Sequence, residues 1–252
     1  MRNKGASRTP DRRSTPLTWG RPGAGAERAW RLDAADQRRG DESCEPTGAL
    51  SARGAHEYDF NVGLAKRVVA SLKKGGYDNV AMIVVSGAGR TQLMQRVLRA
   101  NEMRADLLLS IHHDDVQPRY YKKWSFEGRS YNYSDLYSGY SLFVSKQNES
   151  FAASFSFARD LAKEMLSRGL GFSHHHAEQI PGEGRDLLDK DLGVYRYDDL
   201  FVLKHTNAPS VLLETGVIVN RDEELRLKSG AHQDAISAAV VAAVNDFCGG
   251  SR

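Results

Sequence analysis

The sequence predicts an α/β fold, a three-layer twisted sheet with flanking helices. Short apolar runs stop abruptly at polar or acidic residues, as buried strands do when they reach the edge of a sheet. Between them, apolar residues recur at helical spacing, and the two patterns alternate along most of the chain. Its 252 residues suffice for one sizeable domain of this kind or two small ones. A hydrophobic content of 40% and a charged content of 27% are those of a globular protein. The net charge of +3 is too small to argue for a nucleic-acid partner. No apolar run is long enough to span a bilayer.

The elements follow in order. Residues 1–46 contain no valine or isoleucine and hold four of the seven prolines. Such a stretch reads as disordered, or as sequence outside the native frame through a misplaced start, and the sheet is predicted to lack its first core strand. It also shows no continuous apolar stretch of the kind a secretory signal carries. From residue 47 to 248 the pattern is that of a globular domain. Phe60, Leu64, Val68 and Leu72 mark one face of a helix that stops at Gly75–Gly76. Val80–Val85 is a strand, and Leu93, Val97 and Asn101 share a face of a second helix. Leu107–Ile111 is a buried strand ending in His112, His113, Asp114 and Asp115. Residues 118–138 read as a long aromatic surface loop, suited to a carbohydrate or peptide groove or to packing on itself. A strand at Tyr140–Ser145, a helix over about 150–168 and a loop over 171–198 come next. Leu200–Leu203 and Val211–Leu213 are predicted strands, and Ile236, Val240, Val244 and Phe247 mark a closing helix.

Three positions carry chemistry. Glu57 opens the first helix, where the dipole alone would favour a carboxylate. His112 ends one buried strand and Glu214 ends another. A carboxylate placed directly after an apolar strand is poorly explained by packing, because burying its charge is costly without a partner. Two strand ends and a helix start at one sheet edge form a candidate hydrolytic metal site. Successive strand residues point to opposite faces, so only one of His112 and His113 should reach it. His174, His175 and His176 are either a metal tract or a solvated cluster near the cleft. His56 and His205 read as surface or packing residues, and Asp114 or Asp115 as a possible support for a ligand imidazole.

From Gly48 to about Phe247 the chain resembles the catalytic domain of zinc-dependent N-acetylmuramoyl-L-alanine amidases of the amidase-3 type, which are cell-wall hydrolases. The resemblance rests on Gly48-Ala49 followed by Glu57, and on Arg96, Ala100 and Asn101 before Ser110-Ile111-His112. Its third part is Pro209, Val211, Leu212, Glu214, Thr215 and Gly216, followed by Asn220. It implies a Zn²⁺ cofactor with Glu57 and His112 as ligands, Glu214 as general base, peptidoglycan as substrate, and a periplasmic or extracellular location. Any activating protein partner is left unidentified. Members of the family carry a further ligand, a Gly-His pair ending a core strand before the Gly-Ala turn. The matching stretch here, Gly40 to Thr47, has no histidine, although Glu42 and Cys44 are residue types that ligate zinc. Two other readings therefore stand beside the amidase: a catalytically impaired relative that binds peptidoglycan without cutting it, and a carboxypeptidase-like zinc peptidase.

Overall fold

The computed structural model describes residues 30–34, 48–85 and 89–249. Helix α1 (Glu57–Lys74) buries Phe60, Leu64, Ala65, Val68 and Leu72, has Glu57 and Asp59 in its first turn and Lys73 and Lys74 in its last. Those charges match the helix dipole at both ends. Strand β2 (Val80–Ile83), helix α2 (Gly89–Glu102) and strand β3 (Leu107–Asp114) follow. Residues 118–138, read as a loop, contain an antiparallel hairpin of β4 (Lys122–Phe126) and β5 (Arg129–Tyr133). Strand β6 (Ser141–Val144) and helix α3 (Phe151–Ser167) lead into a long connection. That connection, read as loop throughout, holds β7 (Leu187–Asp189) and β8 (Val194–Arg196). The predicted strand at Leu200–Leu203 is instead a short helix, α4 (Phe201–His205). Four apolar residues cannot by themselves distinguish a strand from a buried turn of helix. Strand β9 (Ser210–Val217) and helices α5 (Arg221–Lys228) and α6 (Gly230–Gly249) complete the domain.

One central strand of the sheet lies where composition predicts none. Trp30–Ala34, here β1, lies between β2 and β3 and pairs with both in parallel. The expected loss of the first core strand is therefore corrected. Without β1 the backbone groups along one side of β3 would be left unpaired in the interior of the sheet, which is costly. A neighbouring ladder on each side can hold a segment whose own composition argues weakly for a strand. The rest of the segment read as disordered or out of frame, residues 1–29 and 35–46, lies outside the described residues.

The sheet order is β2-β1-β3-β9-β6-β8-β7. The first four strands are mutually parallel, β6 runs antiparallel to β9, and β7 closes the edge antiparallel to β8. Period-two alternation sorts β3 and β9 between two cores. Leu107, Leu109, Ile111, Val211 and Leu213 pack with α1, α3 and α6. Leu108 and Leu212 turn to the other face, Leu108 meeting Val97 of α2 and Val202 of α4, and Leu212 meeting Leu203 of α4. These are the three layers that the alternation of elements predicts. Both strands run on past their predicted ends, to Asp114 and Val217, so His112 and Glu214 stand in register inside the ladder rather than at its end.

Candidate active site

The site begins at the start of α1. The Gly48-Ala49 turn wraps the helix origin: Glu57 N–H donates to Ala49 O at 3.0 Å, and a Cβ on Gly48 would lie 3.3 Å from Glu57 Cβ and Oε2. A side chain there would crowd the carboxylate. Glu57 Oε1 accepts from Asn61 Nδ2 at 3.0 Å, one helical turn away, and sits 3.0 Å from His112 Nδ1. Burial alone would raise the Glu57 pKa. The hydrogen bond and electrostatic attraction to His112, with the Asn61 amide, outweigh it and hold the group below its usual range. Glu57 is thus an anion held in a buried position, facing one imidazole nitrogen.

His113 meets the same helix one turn further on. Its Nδ1 lies 2.7 Å from Asn61 Oδ1, its ring packs 5.2 Å from Phe60, and burial presses its pKa down to about 3. It is a neutral core imidazole. The ladder between β3 and β9 shifts register between His112 and Asp114. Asp114 Oδ2 meets His176 Nε2 at 2.8 Å and His175 Nε2 at 3.2 Å. His176 Nδ1 is 3.0 Å from Glu183 Oε2, and burial, which would lower its pKa, is outweighed by Asp114 and Glu183, so the ring is pushed up to about 9. His175 and His176 are buried, whereas His174 is exposed. Taken as a solvated cluster, the tract is corrected at two of its three positions. An aspartate two residues beyond His112 was the sequence signal for that pairing, but nothing local in 173–185 marked the segment as folded against β3.

Glu214 lies across the ladder from His112. Its Oε2 is buried and has no hydrogen-bond partner. Burial, then the negative charges of Asp114 and Glu57, hold its pKa well above that of an ordinary glutamate, with Arg185 opposing. The proton is therefore held more firmly on this carboxyl than on an exposed glutamate. The remaining motif residues build the frame. Asn220 Oδ1 accepts from Asp222 N and Glu223 N to cap α5, while its Nδ2 donates to Tyr137 O. Asn101 Oδ1 accepts from Asn207 N, and its Nδ2 donates to His205 O, fixing the chain before β9. Arg96 is buried in α2.

The β4–β5 hairpin is fastened beside this edge. Trp124 Nε1 donates to Ala52 O at 2.7 Å, and Arg53 and Arg221 both lie over the Trp124 ring. Tyr131 packs onto Gly54, where a Cβ would fall 2.4 Å from its ring. A cavity of about 320 Å³ opens between the hairpin and the Gly48-Ala49 turn, lined among others by Ser51, Asp115, Tyr121, Lys123 and Tyr131.

A zinc ion tests the geometry. Glu57 Oε1 and His112 Nδ1 are buried, close together and of the right donor types, so they fit two ligand positions. Among the described residues, the one group of three donor side chains is Asp114, His175 and His176, and no third donor joins Glu57 and His112. Glu42 and Cys44 fall outside the described residues.

The N-acetylmuramoyl-L-alanine amidase family matches residues 32–246. The chain belongs to this family. The amidase is 28% identical over 212 residues to AmiA, an N-acetylmuramoyl-L-alanine amidase of Escherichia coli K12, covering 80% of this chain and 71% of AmiA. It is 28% identical over 208 residues to LytC, the Bacillus subtilis amidase, covering 81% of this chain but 33% of LytC. Among solved structures, Ami1 of Mycobacterium smegmatis superposes with a TM-score of 0.66 at 21% identity, over 89% of this chain and 98% of Ami1. The CwlV catalytic domain of Bacillus (Paenibacillus) polymyxa gives 0.60 at 21% identity, over 87% and 97%. These likenesses establish the α/β fold of the amidase, and the family match makes it a peptidoglycan hydrolase by kinship.

Proposed function

We propose that this chain cuts the amide between N-acetylmuramic acid and the L-alanine of the peptidoglycan stem peptide at the C-terminal edge of β3 and β9. The observation that carries the proposal is Glu214, a carboxyl with a buried, unpartnered oxygen, placed in register with His112 beside the anionic Glu57. Glu57 and His112 are the two zinc ligands assigned among the described residues. Bound there, Zn²⁺ would activate water and polarise the substrate carbonyl. Glu214 accepts the proton of the attacking water and returns one to the departing amine, for which a raised pKa is needed. The hairpin cavity gives the glycan or stem peptide a polar, aromatic-lined wall next to this edge. Peptidoglycan lies outside the cytoplasmic membrane, so the amidase works in the periplasm or at the cell exterior. Among the described residues no helix is long and apolar enough to cross a membrane. CwlD of Clostridioides difficile, of related fold, is described in complex with the GerS lipoprotein. A protein partner is proposed for this chain as well.

The lack of a histidine in Gly40 to Thr47 favours a second reading, in which the chain binds peptidoglycan without cutting it. Incubation of the purified full chain with purified sacculi and Zn²⁺ separates the two. Release of stem peptides with a free L-alanine amino group, lost in Glu214→Gln, supports the amidase. Sedimentation with sacculi without such release supports the binder. Release of C-terminal amino acids instead identifies a carboxypeptidase.

A further inference from the structure

Asp114, His175 and His176 converge at a point that the proposed hydrolysis does not use. Their three ligand-type atoms lie within 4.8 Å of one another, and both imidazoles are buried. The far nitrogen of each ring is already engaged. His175 Nδ1 pairs with Ser173 Oγ at 2.8 Å and His176 Nδ1 with Glu183 Oε2 at 3.0 Å. Glu183 is fixed in turn by Gln117 Nε2 at 2.9 Å and by Arg185. These Nδ1 partners hold both rings with Nε2 facing inward, as metal-ligating histidines are held, and a cation there would displace the proton that His176 Nε2 shares with Asp114.

A hydrogen-bonded Asp–His pair would account for His176 alone. It does not account for His175, whose Nε2 is buried 3.2 Å from Asp114 Oδ2 yet makes no hydrogen bond. Buried polar atoms without partners are rare and need a reason. We propose that Asp114, His175 and His176 form a binding site for a divalent transition-metal cation of the Zn²⁺ class, separate from the Glu57–His112 pair. Metal–nitrogen and metal–oxygen bonds of about 2.0–2.2 Å in tetrahedral geometry place neighbouring ligand atoms roughly 3.3 Å apart. The observed separations of 2.8 and 3.2 Å need only a small expansion to reach that. Two imidazoles with one carboxylate suit Zn²⁺, Co²⁺ or Fe²⁺, whereas Mg²⁺ and Ca²⁺ take oxygen ligands. Because β3 supplies the carboxylate and residues 173–185 supply both rings, the cation would fasten that segment to the sheet.

The site is read by metal uptake, so its test does not depend on turnover. The full-length chain, stripped with chelator, is titrated with Co²⁺ alone and followed by visible absorption, and its melting temperature is measured with and without Zn²⁺. Wild type is expected to take up Co²⁺ with an imidazole-type band and to melt higher with Zn²⁺. In the Glu57→Gln/His112→Gln background, which removes the ligands of the proposed catalytic zinc, both responses are expected to persist, and adding His175→Gln/His176→Gln to that background is expected to abolish them. Should the last variant fail to fold by circular dichroism, Asp114→Asn in the same background decides, with an expected weakening of Co²⁺ binding by roughly tenfold or more. A wild-type chain that takes up no Co²⁺ overturns the proposal. So does Co²⁺ uptake that disappears with Glu57 and His112 or that, in that background, is unaltered by Asp114→Asn.

Discussion

Single residues at the β3 tip divide their work by partner. His112 meets Glu57, His113 meets Asn61 and Phe60, and Asp114 meets His175 and His176. Glu214→Gln keeps the shape of the side chain but cannot take a proton, so amide hydrolysis on sacculi should fall by about 10²–10⁴-fold with the melting temperature little changed. Asn61→Ala removes the amide shared by Glu57 and His113 and leaves two buried polar groups short of a partner. Urea unfolding should show a loss of about 1–3 kcal/mol. Glu223 gives a pH dependence. Its carboxylate accepts from Gly139 N and Val217 N, but burial outweighs those bonds and raises its pKa. The folded state therefore holds this proton more tightly than the unfolded chain does. That contribution to stability is whole below the unfolded pKa and is lost as pH rises through the folded value. The difference in urea midpoint between wild type and Glu223→Gln should accordingly shift against wild type as pH climbs from about 4.5. A flat difference across that range would remove Glu223 from the account.

At the scale of elements, β9 and α5 act as one unit. A Cβ on Gly216 would stand 2.9 Å from Glu223 Cδ and 3.1 Å from Leu227 Cδ2. Gly216→Ala must therefore push α5 off the end of β9, and we expect about 1–3 kcal/mol of destabilisation by chemical denaturation, typical of overpacking. The elements legible in the sequence were those whose signal is local. The α1 stripe from Phe60 to Leu72 and the apolar run of β3 state their own period. Glu57, His112 and Glu214 stood out because a helix start and two strand ends each break an apolar pattern with a charged or ionisable group. What stayed hidden depends on distant partners. Strand β8 has three residues and borrows its ladder from β6 and β7. The burial of His175 and His176 depends on an aspartate some sixty positions away.

For the molecule as a whole, β1 shows how far tertiary context can override composition. Nothing in Trp-Arg-Leu-Asp-Ala advertises an interior strand, yet its backbone joins β2 to β3. A chain beginning at residue 48 would present β2 with no neighbour and β3 with an open side. We expect it to lose cooperative thermal unfolding and to aggregate, as judged by calorimetry and size-exclusion chromatography. A soluble, cooperatively melting product would show that β1 is dispensable.

The shift in pairing between His112 and Asp114 also bears on how this protein can change over time. Three consecutive side chains there each meet a different partner, Glu57, Asn61 and the His175–His176 pair, so adding or deleting one amino acid would hand every partner the wrong group simultaneously. Substitutions can be tried one partner at a time, but length changes cannot. Among natural variants of this domain, insertions should gather in the hairpin and in the stretch before β7, and the tip of β3 should keep a constant length.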